Sequence, residues 1–103
     1  MVKIGTDIVK ISEFNELSDK AKKKIFQPSE INKNIESLAG IFAAKEAFKK
    51  AFGTKINWLD IEIKKKRNGK PMIYLGNKSL ESDSDVSISH NGDYAIAVVV
   101  YDK

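Results

Sequence analysis

The sequence of 103 residues contains no cysteine, one histidine and one tryptophan. The absence of cysteine excludes disulfides, thiolate zinc sites and cysteine-based catalysis. The longest apolar stretches, such as residues 95–101, are far too short to span a bilayer. Residues 2–5 follow the initiating Met1 without the apolar core of a signal peptide. We therefore expect a soluble, cytoplasmic protein that has no membrane partner.

Arginine is nearly absent as well, because Arg67 is the only one in the chain. Lysine supplies most of the net charge of +4, and it attracts acidic partners or phosphates only as a point charge. A small nucleic-acid-binding domain is one interpretation of the lysine excess. However, the sequence has no arginine cluster, exposed aromatic ladder or recognition motif. We expect no nucleic-acid partner.

The chain is predicted to form one domain over residues 1–103, because its length is ordinary for a domain and it has no linker. Residues 2–9 predict an opening strand, and residues 15–26 predict a helix. Ser29 is predicted to cap a further short helix. Apolar residues at three- and four-residue steps over 35–52 predict an amphipathic helix that ends at Gly53.

Two β-hairpins are predicted in the second half of the chain. Residues 58–65 and 71–75 flank an Asn-Gly turn, and residues 86–90 and 94–101 flank another. The predicted fold is therefore α+β, with a small antiparallel sheet packed on one long helix. A chain of this size has little room for a large active site, which would have to be shared between subunits.

One face of the predicted long helix carries a carboxylate and an ammonium. Phe42, Glu46 and Lys50 lie in one i, i+4 row. The ordinary interpretation is a surface ion pair between Glu46 and Lys50 that stabilises the helix weakly. The alternative is functional, because apolar neighbours place both groups at the margin of the core, where perturbed ionisable groups collect.

Asp7 lies in a β-prone segment that normally disfavours aspartate. It is either a strand-end residue that caps a turn or one of two carboxylates that converge on a hard cation. With no cysteine and one histidine, a metal site here would consist mainly of oxygen ligands, which suit Mg²⁺. Protein-bound Mg²⁺ commonly keeps several waters and takes further ligands from phosphates.

Other conspicuous residues have ordinary explanations beside functional ones. His90 is either a hydrogen-bonded residue at a sheet edge or a ligand contact at the mouth of the sheet. Trp58 is interpreted as a core residue packed with Phe48 and Phe52. The basic residues 64–67 are interpreted as a solvated hairpin end, with a phosphate site as the alternative.

Several segments of the chain resemble one enzyme family in composition and order. They are Gly-Thr-Asp-Ile-Val at 5–9, the helical segment 38–53, Asp-Ile-Glu-Ile at 60–63, Asn-Gly-Lys-Pro at 68–71, Val-Ser-Ile-Ser-His at 86–90 and, more weakly, 26–30. In this order they resemble holo-acyl-carrier-protein synthase, the small type of 4′-phosphopantetheinyl transferase. The resemblance covers nearly the whole chain, and it implies the fold of that family.

The resemblance implies transfer of the 4′-phosphopantetheine group from coenzyme A to a serine of an apo acyl carrier protein, as in fatty acid biosynthesis. The reaction is Mg²⁺-dependent and releases adenosine 3′,5′-bisphosphate. Small members of the family form homotrimers with active sites at the subunit interfaces.

The resemblance also implies which residues form the site. Asp7 and Glu46 match the metal ligands, and Lys50 matches the lysine that stabilises or protonates the departing phosphate. Either Glu46 or a metal-bound water removes the serine proton. The positions that match the coenzyme A site are Lys45, Gly69, Lys70, Pro71, Ser89 and His90.

Two departures from the family pattern remove positive charge. Glu13 and Ile41 stand where many members carry arginine. Because carrier proteins present an acidic helix, Glu13 affects the usual docking contact, for which Lys20 and residues 22–24 are candidate substitutes. The departures motivate an alternative function, a relative that binds coenzyme A or a carrier protein but is catalytically weakened.

Overall fold

The computed structural model describes residues 1–103, which form six strands and two α-helices. The helices are α1 (Asp19–Ile25) and α2 (Ile35–Phe52), and 3₁₀ turns cover Ile11–Glu16 and Trp58–Asp60. The strands are β1 (Val2–Lys10), β2 (Ile61–Lys65), β3 (Pro71–Leu75), β4 (Lys78–Ser79), β5 (Ser84–Asn91) and β6 (Tyr94–Asp102). No helix has the length and apolar character needed to cross a membrane.

The strands divide between two antiparallel sheets, with strand orders β1-β6-β5 and β2-β3-β4. The predicted α+β class is confirmed, although we predicted one sheet. Both predicted hairpins are present, and Gly69 and Gly92 adopt φ values of 86° and 59° in their turns. These left-handed conformations are the reason that the Asn-Gly pairs predict the turns correctly.

Helix α2 has the predicted bounds and packs along β1 and β6. The side chain of Asn34 caps it by accepting a hydrogen bond from the Ser37 N–H. Its buried surface consists largely of small and apolar residues: Leu38, Ala39, Gly40, Ile41, Ala43, Ala44, Ala47, Phe48 and Ala51. The small residues let the sheet approach closely.

The closest approach lies at Gly5 of β1. A Cβ atom added there would lie 1.9 Å from the carbonyl oxygen of Ala47 on α2. Any other residue at this position would therefore push β1 away from the helix. Since β1 carries Asp7 and α2 carries Glu46, the crossing at Gly5 brings the two carboxylate-bearing segments together.

The segment between β1 and α2 differs from the prediction. The helix predicted over 15–26 is broken into a 3₁₀ turn and α1, which begins where Ser18 accepts a hydrogen bond from the Ala21 N–H. The prediction that Ser29 caps a short helix is wrong. Its hydroxyl instead donates to the Glu62 carboxylate at 2.5 Å. The buried carboxylate of Glu30 accepts a hydrogen bond from the Gln27 N–H, and the chain turns there without forming a helix.

The aromatic core differs from the prediction in its partners. Phe48, Phe52 and Tyr101 pack together, whereas the Trp58 ring packs on Phe42 at a centroid distance of 5.8 Å. Trp58 lies in a 3₁₀ turn before β2 instead of starting the strand. Its ring therefore reaches the face of α2 that carries Glu46.

Candidate active site

Lys50 forms an ion pair across the β1–α2 contact. Its Nζ donates to the Asp7 carboxylate Oδ1 at 3.2 Å and to the Thr6 carbonyl at 2.9 Å. The side chain of Asp7 is only 16% exposed, whereas that of Lys50 is 51% exposed. The helical ion pair between Glu46 and Lys50 is therefore absent, and Lys50 binds the strand while facing solvent.

The second carboxylate oxygen of Asp7, Oδ2, is buried and has no hydrogen-bond partner in the chain. Burial raises the pKa of Asp7 above its usual value, and the charge of Glu46 raises it further, while Lys50 opposes both effects. A buried carboxylate oxygen without a partner calls for an explanation. A nearby second carboxylate makes a hard cation a chemically suitable partner.

Glu46 is half-buried, and its Oε1 accepts a hydrogen bond of 2.5 Å from the indole Nε1 of Trp58. The other oxygen, Oε2, accepts no hydrogen bond from the chain. No group of three or more metal-ligating side chains converges anywhere in the chain. A Mg²⁺ ion held by Asp7 and Glu46 would thus need ligands from substrate phosphates and water, as is usual for Mg²⁺.

A separate pocket of about 170 Å³ lies near the N-terminal half of α2 and contains three of the sequence-predicted coenzyme A residues. These three are Gly69, Pro71 and His90. Gly40 keeps the pocket narrow but open, because a Cβ there would lie 2.9 Å from Ile88 and 3.4 Å from the His90 Nε2. Ile41, which stands where many family members carry arginine, also lines this pocket.

Two lysines also line this pocket, of which Lys33 was not predicted and Lys65 belongs to the segment with a phosphate site as its alternative interpretation. They lie there together with His90, whose Nδ1 is 3.8 Å from the Glu36 carboxylate. The glycine inside a helical pattern at position 40 was the available signal, since such a glycine often marks a close approach. The predicted solvated hairpin end thus contributes Lys65 to a pocket, while Lys64 packs over the Tyr74 ring.

Lys45 does not reach that pocket. Its ammonium is fully buried and donates to the Glu30 Oε1 and the Ile25 carbonyl at 2.7 Å each, and to the Trp58 carbonyl at 3.2 Å. Burial lowers the pKa of Lys45, and the Glu30 carboxylate opposes this shift. The expectation that Lys45 contacts coenzyme A therefore does not fit its burial. The buried ion pair between Lys45 and Glu30 was not predicted from the sequence.

Lys70 and Ser89 also lie apart from the pocket. Lys70 pairs with Asp85 at 2.6 Å and lowers the pKa of that carboxyl. Ser89 is exposed and pairs with Ile96 in the register of β5 and β6. It alternates with Ile88 and His90 along β5, so it points to the sheet face opposite the pocket.

A larger cleft of about 400 Å³ borders the strand residues that follow Asp7. Its walls are mostly apolar, and its lining consists of Ile8, Val9, Lys10, Glu13, Phe14, Leu17, Ile25, Phe42 and Tyr94. This cleft forms between β1, the first 3₁₀ turn and α2, so no single segment of the sequence predicts it. Glu13, the second departure from the family pattern, lies on its rim.

Comparison with known proteins identifies the family. The family model described as the 4′-phosphopantetheinyl transferase superfamily matches residues 3–99. The holo-[acyl-carrier-protein] synthase of Nautilia profundicola is 45% identical over 94% of this chain and 96% of its own length. That of Bacillus subtilis is 39% identical over 97% of this chain and 94% of its own length.

Solved structures give the same result. The Neisseria meningitidis holo-[acyl-carrier-protein] synthase superposes with a TM-score of 0.85 at 31% identity, over 100% of this chain and 100% of its own. The Helicobacter pylori enzyme in complex with coenzyme A superposes with a TM-score of 0.79 at 34% identity, over 93% of this chain and 96% of its own. The chain therefore belongs to the 4′-phosphopantetheinyl transferases, as a member of the holo-[acyl-carrier-protein] synthase family.

Proposed function

We propose that this protein transfers 4′-phosphopantetheine from coenzyme A to a serine hydroxyl of an apo acyl carrier protein and releases adenosine 3′,5′-bisphosphate. The observation that carries the proposal is the buried, unpartnered Oδ2 of Asp7 beside Glu46 and Lys50. The family relationship supports it, and several relatives of known structure were solved in complex with coenzyme A. We place the reaction in fatty acid biosynthesis, as the sequence resemblance implies, and in the cytoplasm, as the sequence without a membrane span or signal-peptide core leads us to expect.

Asp7 and Glu46 would hold Mg²⁺, since each offers a carboxylate oxygen that accepts no hydrogen bond from the chain. When bound, the ion would neutralise charge on the pyrophosphate of coenzyme A. Lys50 extends its half-exposed ammonium from the same place, where it can stabilise or protonate the departing phosphate. Either Glu46 or a water bound to the metal would remove the serine proton.

The pocket lined by Lys33, Lys65, Gly69, Pro71 and His90 is the proposed site for the nucleotide part of coenzyme A. Two lysines and a histidine in a narrow pocket suit phosphate oxygens as point-charge donors. The proposal leaves out Lys45, Lys70 and Ser89, whose side chains lie elsewhere.

The deciding experiment is intact-mass analysis of apo acyl carrier protein after incubation with this protein, coenzyme A and Mg²⁺. We expect a gain of one phosphopantetheine, and no gain when EDTA replaces Mg²⁺. Absence of a gain with several carrier proteins would refute the transferase activity. Calorimetric binding of coenzyme A under those conditions would then favour the alternative, a binding relative, for which Glu13 and Ile41 at the two pockets are the specific observations.

The outer face of the β1-β6-β5 sheet supports assembly into the proposed homotrimer, with active sites at the subunit interfaces. This face carries large apolar side chains that are exposed: Val2, Ile4, Ile8, Tyr94 and Ile96. A contiguous exposed apolar surface of this kind marks an interaction site. The proposed partner is a second copy of this chain.

We expect Ile96→Glu to convert the assembly to monomers, because the substitution places a charge in an apolar interface. Light scattering coupled to size exclusion measures the mass. Leu59→Glu is the matched control, since Leu59 is 39% exposed and Ile96 is 40% exposed, but Leu59 lies outside this sheet. An unchanged mass for the Ile96 variant would contradict the proposed interface.

The lysines of α1 are proposed to dock the acidic carrier protein. The side chains of Lys20, Lys23 and Lys24 are exposed on α1. This helix lies next to the large cleft, because Leu17, just before the helix, and Ile25, its last residue, both line the cleft. We expect Lys20→Glu combined with Lys23→Glu and Lys24→Glu to raise the KM for the carrier protein about tenfold, because electrostatic steering is reversed. The KM for coenzyme A should stay unchanged. Kinetics with Lys78→Glu, on β4, provide the control, and an unmoved carrier-protein KM would rule out this docking surface.

A further inference from the structure

We propose that Trp58 is a positioning residue for Glu46, and that the buried Lys45–Glu30 pair holds Trp58 in place for this role. The inference rests on the proposed function only in giving Glu46 its task as a Mg²⁺ ligand. It assigns a purpose to a tryptophan that our sequence analysis treated as core.

The contact between the two side chains is direct. The Trp58 indole Nε1–H donates a hydrogen bond of 2.5 Å to the Glu46 Oε1, and the Oε2 has no hydrogen-bond partner in the chain. Hydrogen bonds to a charged acceptor are short and strong. The bond therefore selects one orientation of a long, flexible side chain, whose ordering otherwise costs conformational entropy.

The indole is itself fixed by its surroundings. Its ring packs against Phe42 at 5.8 Å, and the Lys49 Nζ lies 4.7 Å from the ring centroid. Phe42, Lys49 and Glu46 all belong to α2, so the ring lies along the helix segment that carries the metal-binding carboxylate. Packing alone would orient the ring, but it would not require the N–H to meet Glu46.

The backbone of Trp58 is anchored from inside the protein. Its carbonyl accepts a hydrogen bond from the buried Lys45 ammonium at 3.2 Å. Lys45 in turn binds the buried Glu30 carboxylate, which also accepts the Ile63 N–H at 2.9 Å. The link thus runs from β2 through two buried charges to the tryptophan and then to Glu46. Partners that orient a metal ligand commonly change metal affinity 10- to 100-fold when they are removed.

The experiment uses Trp58→Phe, which retains an aromatic ring against Phe42 and removes the indole N–H. We expect the Mg²⁺ concentration needed for half-maximal transfer to rise about tenfold, while the KM for carrier protein is unchanged. Calorimetry of Mg²⁺ binding in the presence of coenzyme A gives the same comparison without turnover. Lys49→Gln removes the cation over the ring but keeps the indole N–H and the Phe42 contact, so it should keep the wild-type Mg²⁺ dependence.

A second measurement tests whether Trp58 acts through Glu46. Glu46→Asp shortens the side chain by one methylene, so its carboxylate no longer accepts the hydrogen bond from the Trp58 indole. Trp58→Phe should therefore add no further loss of Mg²⁺ affinity in a Glu46→Asp background. An equal loss in both backgrounds, or wild-type Mg²⁺ affinity in Trp58→Phe, would overturn the proposal.

The single tryptophan provides a readout that does not depend on the Trp58 variant or on catalysis. Trp58 gives the only indole N–H resonance in a ¹H–¹⁵N spectrum, because the chain contains one tryptophan. We expect this resonance to move in Glu46→Asp and during titration of the wild type with Mg²⁺ and coenzyme A. An indole resonance that moves in neither experiment would refute the positioning role. A wild type that shows these shifts but transfers no phosphopantetheine would refute the proposed function alone.

Discussion

Glu46→Gln is expected to lower phosphopantetheine transfer about 10³-fold, the scale of losing one preorganised electrostatic group at a reacting centre. The substitution preserves the shape of the side chain, and the Gln amide oxygen can still accept the Trp58 indole N–H. What disappears is the negative charge that would bind Mg²⁺ beside Asp7. Intact-mass time courses with apo carrier protein measure the loss.

Circular dichroism and thermal unfolding should show that Glu46→Gln keeps the wild-type fold. Glu62→Gln is a suitable control, because Glu62 is also a half-buried carboxylate that accepts a hydrogen bond, here from Ser29, but it lies on β2 outside the site. We expect this control to transfer at the wild-type rate. Full activity in Glu46→Gln would show that the assigned mechanism is wrong.

The largest loss of stability is expected from Lys45→Met, which should reduce the free energy of unfolding by about 3–5 kcal/mol. Lys45 and Glu30 are both 0% exposed, so removal of the ammonium leaves a buried carboxylate without its counter-charge. The Ile25 and Trp58 carbonyls lose their donor as well. Urea denaturation at neutral pH measures the change.

Lys50→Met supplies the comparison for Lys45→Met, because the Lys50 side chain also pairs with a carboxylate but is 51% exposed. Because the Lys50 ammonium is open to solvent, where ion pairs contribute less, this variant should lose clearly less stability than Lys45→Met. Glu30→Gln should recover part of the loss when it is combined with Lys45→Met, since no unpaired charge then remains buried. Equal stability of Lys45→Met and Lys50→Met would contradict the structural role of the buried pair.

Local patterns in the sequence predicted much of the fold. The apolar spacing of α2 and the two Asn-Gly turns identified elements whose geometry depends on neighbouring residues, and the structure contains all three. The segment between β1 and α2 was predicted less well. Its course depends on Glu30, whose partners lie 15 and 33 residues away in the chain. No periodicity within the segment reports such contacts.

The candidate site was likewise predictable only in part. The residue types at Asp7, Glu46 and Lys50 indicated a metal and phosphate chemistry, but the spacing of Glu46 and Lys50 suggested a helical ion pair. The structure pairs Lys50 with Asp7 instead, because Gly5 brings β1 against the helix. Lys45 precedes Glu46 in sequence yet points inward, since adjacent helical residues lie about 100° apart around the axis. Trp58 reaches Glu46 only through a tertiary contact.

Helix α2 also fixes the distance between the two proposed sites. Gly40 lines the proposed nucleotide pocket, while Glu46 and Lys50 belong to the proposed reaction site. A rise of about 1.5 Å per residue puts these positions about 9 and 15 Å apart along the axis. One inserted residue between them would also rotate one site by about 100° relative to the other. The exposed turn around Gly76 lies outside this span, whereas the residue count between Gly40 and Lys50 sets the distance between the proposed nucleotide pocket and the proposed site of the pyrophosphate.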